Sequence, residues 1–198
     1  MRLSLIILFL LLFSSVSFSQ DIPAYNMAKD RFGMIVGYGN QDYITVDYDY
    51  KVVFFQFQHY RRLLKKRGWG IDWHSQPQFN VTRYLQSPNA KEYKTGIEFG
   101  VNGSLFFYKN FFVDKLIAYA SISSGPHFVS GVPDRQSRGF IFSDNWFVGA
   151  QIKMGERLWL DIRPLFRHIS NLGITNPNGG VNNAVYSLGI LWLPKEKE

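Results

Sequence analysis

From Arg31 onward, apolar and polar residues alternate with a period of two rather than 3.6, the spacing of extended chain whose successive side chains leave on opposite faces. Trp69, Ile71 and Trp73 alternate with Gly70, Asp72 and His74, and Ile97, Phe99 and Val101 with Glu98, Gly100 and Asn102. Further on, Trp146, Val148, Ala150 and Ile152 stand opposite Gly149, Gln151 and Lys153, and Tyr186, Leu188, Ile190 and Trp192 opposite Ser187 and Gly189. The pattern predicts eight strands: Phe32 to Tyr38, Val52 to Tyr60, Trp69 to Gln78, Thr95 to Phe107, Lys115 to Ser124, Phe140 to Lys153, Arg157 to Ile169 and Ala184 to Trp192.

The same alternation would suit a soluble β-sandwich or a lipocalin-like barrel with its apolar side in a core. Two features favour a wall that faces lipid instead. Aromatic residues recur near strand ends, as in interfacial girdles, and the connections alternate between short and long. With the N-terminus in the periplasm, Asn40 to Tyr48, Ser75 to Lys94, Gly125 to Arg138 and Asn171 to Asn183 fall outside. Arg61 to Lys66, Tyr108 to Asp114 and Met154 to Glu156 then fall inside. Aromatic residues make up 17% of the chain and charged residues 19%, and past the leader no run is long enough to cross a bilayer as a helix. The expected fold is all-β, an eight-stranded antiparallel transmembrane β-barrel of the outer membrane. A barrel of that size is filled by its own side chains, which argues against transport.

The leader fits that destination. MRLSLIILFLLLFSSVSFSQ has one basic residue, an apolar run from Leu5 to Phe13 and small residues before Gln20, the layout of a secretory signal peptide over residues 1–19, with 20–198 as the barrel. Removing it takes away Arg2 and lowers the formal net charge from +7 to +6. A basic exported chain suits anionic lipid or polysaccharide, although scattered Lys and Arg also serve simply as a solvated surface. The absence of cysteine excludes a disulfide framework. Nothing has the spacing of a four-ligand zinc site, and His59, His74 and His127 read as lumen, girdle or loop residues, so no metal or cofactor and no nucleic-acid partner is expected.

Candidate chemistry collects in Phe166 to Asn182, FRHISNLGITNPNGGVN. In the strand leading into it, Leu158, Leu160, Ile162, Pro164 and Phe166 share one parity, and Trp159, Asp161 and Arg163 the other. His168 and Ser170 continue the apolar, lipid-facing parity, two residues apart on one face. Polar side chains there carry a free-energy cost unless they are paired or useful. A serine hydroxyl is a weak nucleophile until a neighbouring imidazole takes its proton, so a base beside a hydroxyl suits acyl transfer. Asp161 and Arg163 are expected to pair inside the barrel. Arg167, on the interior parity near the strand end, suits either a lipid phosphate or a solvated rim.

The run RHISN, followed by Gly173, Pro177, Asn178 and Gly180, resembles the signature of the lipid A 3-O-deacylase (PagL-like) family of outer-membrane acyl hydrolases. The resemblance implies an eight-stranded barrel that hydrolyses the ester-linked acyl chain at the 3-position of lipid A with a Ser nucleophile, a His base and a carboxylate. It places the nucleophile on Ser170, the base on His168 and the oxyanion donors on Asn171 and Gly173. A turn-forming hydrogen bond is the other reading of Asn171.

One position departs from the pattern. Where the best-known members have Glu, twelve residues past the Ser, this chain has Asn182, and no acid lies between Arg163 and Lys195. An Asn side chain can accept the imidazole N–H and set its tautomer but supplies no charge for the imidazolium. Either turnover is slow, or the orienting group comes from elsewhere, with Asp144 a candidate. The function expected is 3-O-deacylation of lipid A by Ser-His catalysis, without a cofactor and with outer-leaflet lipopolysaccharide as partner. The alternative is a non-catalytic outer-membrane barrel for adhesion, surface protection or binding.

Overall fold

A computed structural model describes residues 29–42, 45–66, 68–112 and 115–194; the leader, 1–19, lies outside the described residues. Eight strands follow one another: β1 Asp30–Asn40, β2 Tyr50–Lys66, β3 Trp69–Leu85, β4 Tyr93–Phe111, β5 Leu116–Val129, β6 Gly139–Lys153, β7 Leu158–Ser170 and β8 Val181–Trp192. Each pairs antiparallel with the next, and β1 with β8, to close an eight-stranded barrel. Four loops (41–49, 86–92, 130–138 and 171–180) gather at one end, here the loop end, and short turns at the other.

The strands keep the period of two, with its usual sense inverted, apart from the end of β2, where the register shifts between Arg62 and Leu64. Large apolar side chains line the outside, among them Met34 at 58% exposed, Ile122 at 64%, Tyr186 at 57% and Leu188 at 59%. A continuous exposed apolar wall of this extent marks a surface built for lipid. Inside, several polar groups pair with one another. Arg163 donates to Asp161 at 2.9 Å, to Tyr60 at 2.7 Å and to Gln58 at 3.0 Å, so the pair expected at Asp161 and Arg163 does form in the lumen. Glu98 accepts from His127 Nδ1 at 2.5 Å and from Arg167. Closer to the loop end, Tyr50, Val52, Val129, Ile141, Ile169 and Val181 form an apolar cluster under the loops.

Several strands outrun their expected limits. β3 continues to Leu85 and β4 begins at Tyr93, so the long loop expected from Ser75 to Lys94 contracts to 86–92; β5 runs to Val129, and Arg61 to Lys66 is strand rather than turn. Proline explains the discrepancy in β5, whose expected strand stops at Ser124 just before Pro126, because proline cannot donate to a ladder and reads as a breaker. Here the sheet absorbs it: β2–β3 pairing lapses between Gln56↔Gln78 and His59↔Ser75, opposite Pro77. The β4–β5 ladder lapses opposite Pro126, and the β6–β7 ladder between Phe147↔Leu165 and Ala150↔Ile162, at Pro164.

Candidate active site

His168 and Ser170 stand at the loop end of β7, on the outward face. Buried Arg167 and Ile169 occupy the opposite face, which anchors the end of the strand. His168 is the Cα partner of Asn182 on β8 and of Asp144 on β6. Its Nδ1 lies 2.6 Å from Asn182 Oδ1. Because Oδ1 only accepts, Nδ1 carries the proton and Nε2 is left as the basic nitrogen.

The position of the ring is set by Gly180. Ile169↔Val181 is the last paired rung between β7 and β8, so Ser170 and Gly180 sit just beyond it. A Cβ on Gly180 would lie 2.6 Å from His168 Cε1 and 3.3 Å from Nε2, and its φ is +65°. The imidazole therefore lies over a backbone that only glycine provides, with Nε2 carried toward the level of Ser170. Ser170 is 8% exposed. Among the described residues its hydroxyl has no hydrogen-bond partner; it follows His168 by two positions and leaves the strand on the same face. In unliganded sites a base and the hydroxyl it serves are often not yet hydrogen-bonded.

Asn182 is held from the side where the sheet runs out. The β1–β8 ladder ends at Asn40↔Ala184, leaving the Asn182 backbone without a strand on that side, and such groups must find partners. Loop residues take over the ladder's role: Asn182 N–H donates to the Tyr48 hydroxyl at 2.7 Å, and Gln41 Nε2 donates to Asn182 C=O at 2.9 Å. Burial pushes the Tyr48 phenol above its usual range, so it remains a neutral hydroxyl. Neither Tyr48 nor Gln41 carries a sequence signal for this role.

The two expected oxyanion donors are committed elsewhere. Asn171 Nδ2 donates to Ser137 Oγ at 2.6 Å, Thr175 O at 2.7 Å and Thr175 Oγ1 at 2.8 Å, while its Oδ1 accepts the Gly173 N–H at 2.9 Å. The turn-forming reading of Asn171 describes this arrangement, in which its side chain and the Gly173 N–H build the loop. Asn178 Oδ1 accepts the Asn171 N–H, and Gln136 Oε1 the Gly180 N–H. Loops 130–138 and 171–180 are thus fastened together beside the site.

Arg167 also departs from expectation. Its guanidinium is 2% exposed and bonded to Glu98 and Asn183, on the interior side of the wall. It is available neither to a phosphate outside the barrel nor to solvent at the rim.

Below His168 the outer wall holds an apolar groove of about 360 Å³, lined by Trp146, Val148, Pro164, Phe166, Ala184 and Tyr186. It meets a second depression of about 620 Å³ at Val148 and Pro164, floored by Ala118, Gly149 and Ala150. Among the described residues no group of His, Cys, Asp and Glu is arranged to hold a metal ion.

The family model for lipid A 3-O-deacylase (PagL) matches residues 42–190. The fold is similar to that in the crystal structure of the outer membrane enzyme PagL, with a TM-score of 0.58 at 15% identity, covering 83% of this chain and 99% of that one. It is also similar to Neisserial surface protein A, with a TM-score of 0.57 at 10% identity, covering 85% of this chain and 99% of that one. No individually curated protein matches the chain.

Proposed function

The chain belongs to the lipid A 3-O-deacylase (PagL) family and is an outer-membrane β-barrel, and we propose that it removes the 3-O-linked acyl chain of lipid A through a Ser170 acyl-enzyme with His168 as the base. The observation that carries the reading is the outward-facing His168, bonded through Nδ1 to Asn182 and carried over Gly180 toward Ser170. In the first step Ser170 Oγ attacks the ester carbonyl while His168 Nε2 takes the hydroxyl proton. Collapse of the tetrahedral intermediate breaks the bond to the sugar 3-oxygen, which leaves with the proton from Nε2. Water, deprotonated by the same nitrogen, then releases the fatty acid from Ser170.

With the loop end outward, the site sits at the outer leaflet, where its substrate is already part of the membrane. The groove below His168 offers a path for the scissile acyl chain. Lipid tails are as apolar as this groove, so moving the chain into it yields little transfer free energy. Its value is positional: a chain held against Phe166 and Ala184 brings its ester to Ser170.

The non-catalytic alternative has one observation on its side, the neutral Asn182 in place of an acid against Nδ1. Purified, folded protein mixed with lipid A in detergent micelles separates the two readings. Release of the 3-linked fatty acid is expected; a folded barrel that releases none supports the alternative.

A further inference from the structure

The acid missing from the β8 side of His168 has a counterpart on the β6 side. Asp144 is the Cα partner of His168 across β6–β7, and both lie on the outward face, where facing Cβ atoms on neighbouring strands are about 4.5–5.5 Å apart. The outward neighbours of Asp144 along its strand are Phe142 and Trp146. A carboxylate among such residues, on a wall turned to lipid, carries a cost that pairing or function must offset. Its one hydrogen bond among the described residues comes from the Ser124 hydroxyl, 2.6 Å from Oδ1, and a neutral donor orients a carboxylate without cancelling its charge.

We infer that Asp144 supplies the negative charge that stabilises the His168 imidazolium, while Asn182 holds the ring and its tautomer. The inference rests on the deacylase reading above. His168 stands between a carboxylate on one side and an amide on the other, on a rung that runs Ser124, Asp144, His168, Asn182 across four strands. Two residues thus divide the tasks that one acid performs in a Ser-His-Asp site, where orientation and charge come from the same carboxylate. Asp144 acts through His168 and touches no reacting atom, so it is a positioning residue. The apolar surroundings strengthen its influence over the separation of one rung.

The test compares wild type, Asp144→Asn and Asp144→Asn combined with Asn182→Glu, each confirmed as a folded barrel by heat-modifiable gel migration. Two rates are read: fatty acid release from lipid A, and covalent labelling of Ser170 by a fluorophosphonate. Asp144→Asn is expected to lower kcat by about 10- to 100-fold, less than the roughly 10⁴ lost when a directly bonded acid is neutralised, with KM changed less than about twofold, as for a charge that acts only in the transition state. Adding Asn182→Glu is expected to restore most of the rate, which a merely structural role for Asp144 does not predict. An undiminished kcat in Asp144→Asn, or a loss that Asn182→Glu leaves in place, overturns the inference. If labelling follows this pattern while lipid A stays intact, Asp144 keeps its role and the substrate reading falls. If lipid A is cleaved equally by wild type and Asp144→Asn, the deacylase reading stands and Asp144 loses its role. Absence of both labelling and cleavage in wild type overturns both.

Discussion

Gly180 decides where the imidazole of His168 can stand. Its positive φ and the 2.6 Å separation between a notional Cβ and His168 Cε1 mean that Gly180→Ala forces either the ring or the loop aside, beyond the 1–2 kcal/mol or so that a left-handed non-glycine residue already costs. Gly180→Ala is expected to reduce kcat by about tenfold or more, since small misplacements of a catalytic group are expensive, while the barrel keeps its heat-modifiable migration. A variant with wild-type turnover would show that the ring is not placed by this contact. At this scale strand parity drew His168 and Ser170 to one face, and the family resemblance drew attention to Asn182. The sequence did not show that Asn171 and Gly173 are bonded within the loops and Arg167 to Glu98, because residue type does not reveal which donors a loop consumes. The partner that draws Arg167 inward, Glu98, lies 69 residues away along the chain.

At the scale of elements, the site is the end of β7 braced from both sides: by β8, with its backbone finished by Gln41 and Tyr48, and by the joined loops 130–138 and 171–180. Asn171 is one fastener of the second brace: it meets Ser137 of the neighbouring loop and Thr175 of its own, beside backbone bonds from Ser137 N–H to Pro177 C=O and from Gly179 N–H to Arg135 C=O. Asn171→Ala removes its side-chain bonds and leaves the Thr175 carbonyl and the Gly173 N–H short of a partner. The variant is expected to fold as a barrel but to show faster proteolytic cleavage within 171–180 and lower deacylation; unchanged cleavage would mean that other contacts hold the loop. The strands were legible because lipid-facing alternation is strict, whereas their ends were not. Alternation weakens where a hairpin leaves the bilayer, and Pro126 looks like a breaker until the paired neighbours are seen to bridge the gap.

At the scale of the molecule, the proposed deacylase reading sets the chemistry on the outside of the barrel's own wall. The lumen is closed by Arg163, Asp161, Glu98, His127 and their partners, and this interior holds the β7 backbone rigid while its outward face meets lipid. Such an arrangement suits a substrate that diffuses within the membrane and is never extracted from it. Fold class and destination were readable in the chain from period and aromatic content; the groove was not, because it depends on Trp146, Pro164, Phe166 and Ala184 meeting across three strands. The most direct test expresses wild type and Ser170→Ala in the outer membrane of a Gram-negative host and compares the masses of extracted lipid A. Wild type should yield lipid A lighter by one 3-O-linked acyl chain, and Ser170→Ala lipid A of unchanged mass. Unaltered lipid A from a folded wild-type barrel, or equal deacylation by Ser170→Ala, would contradict the account.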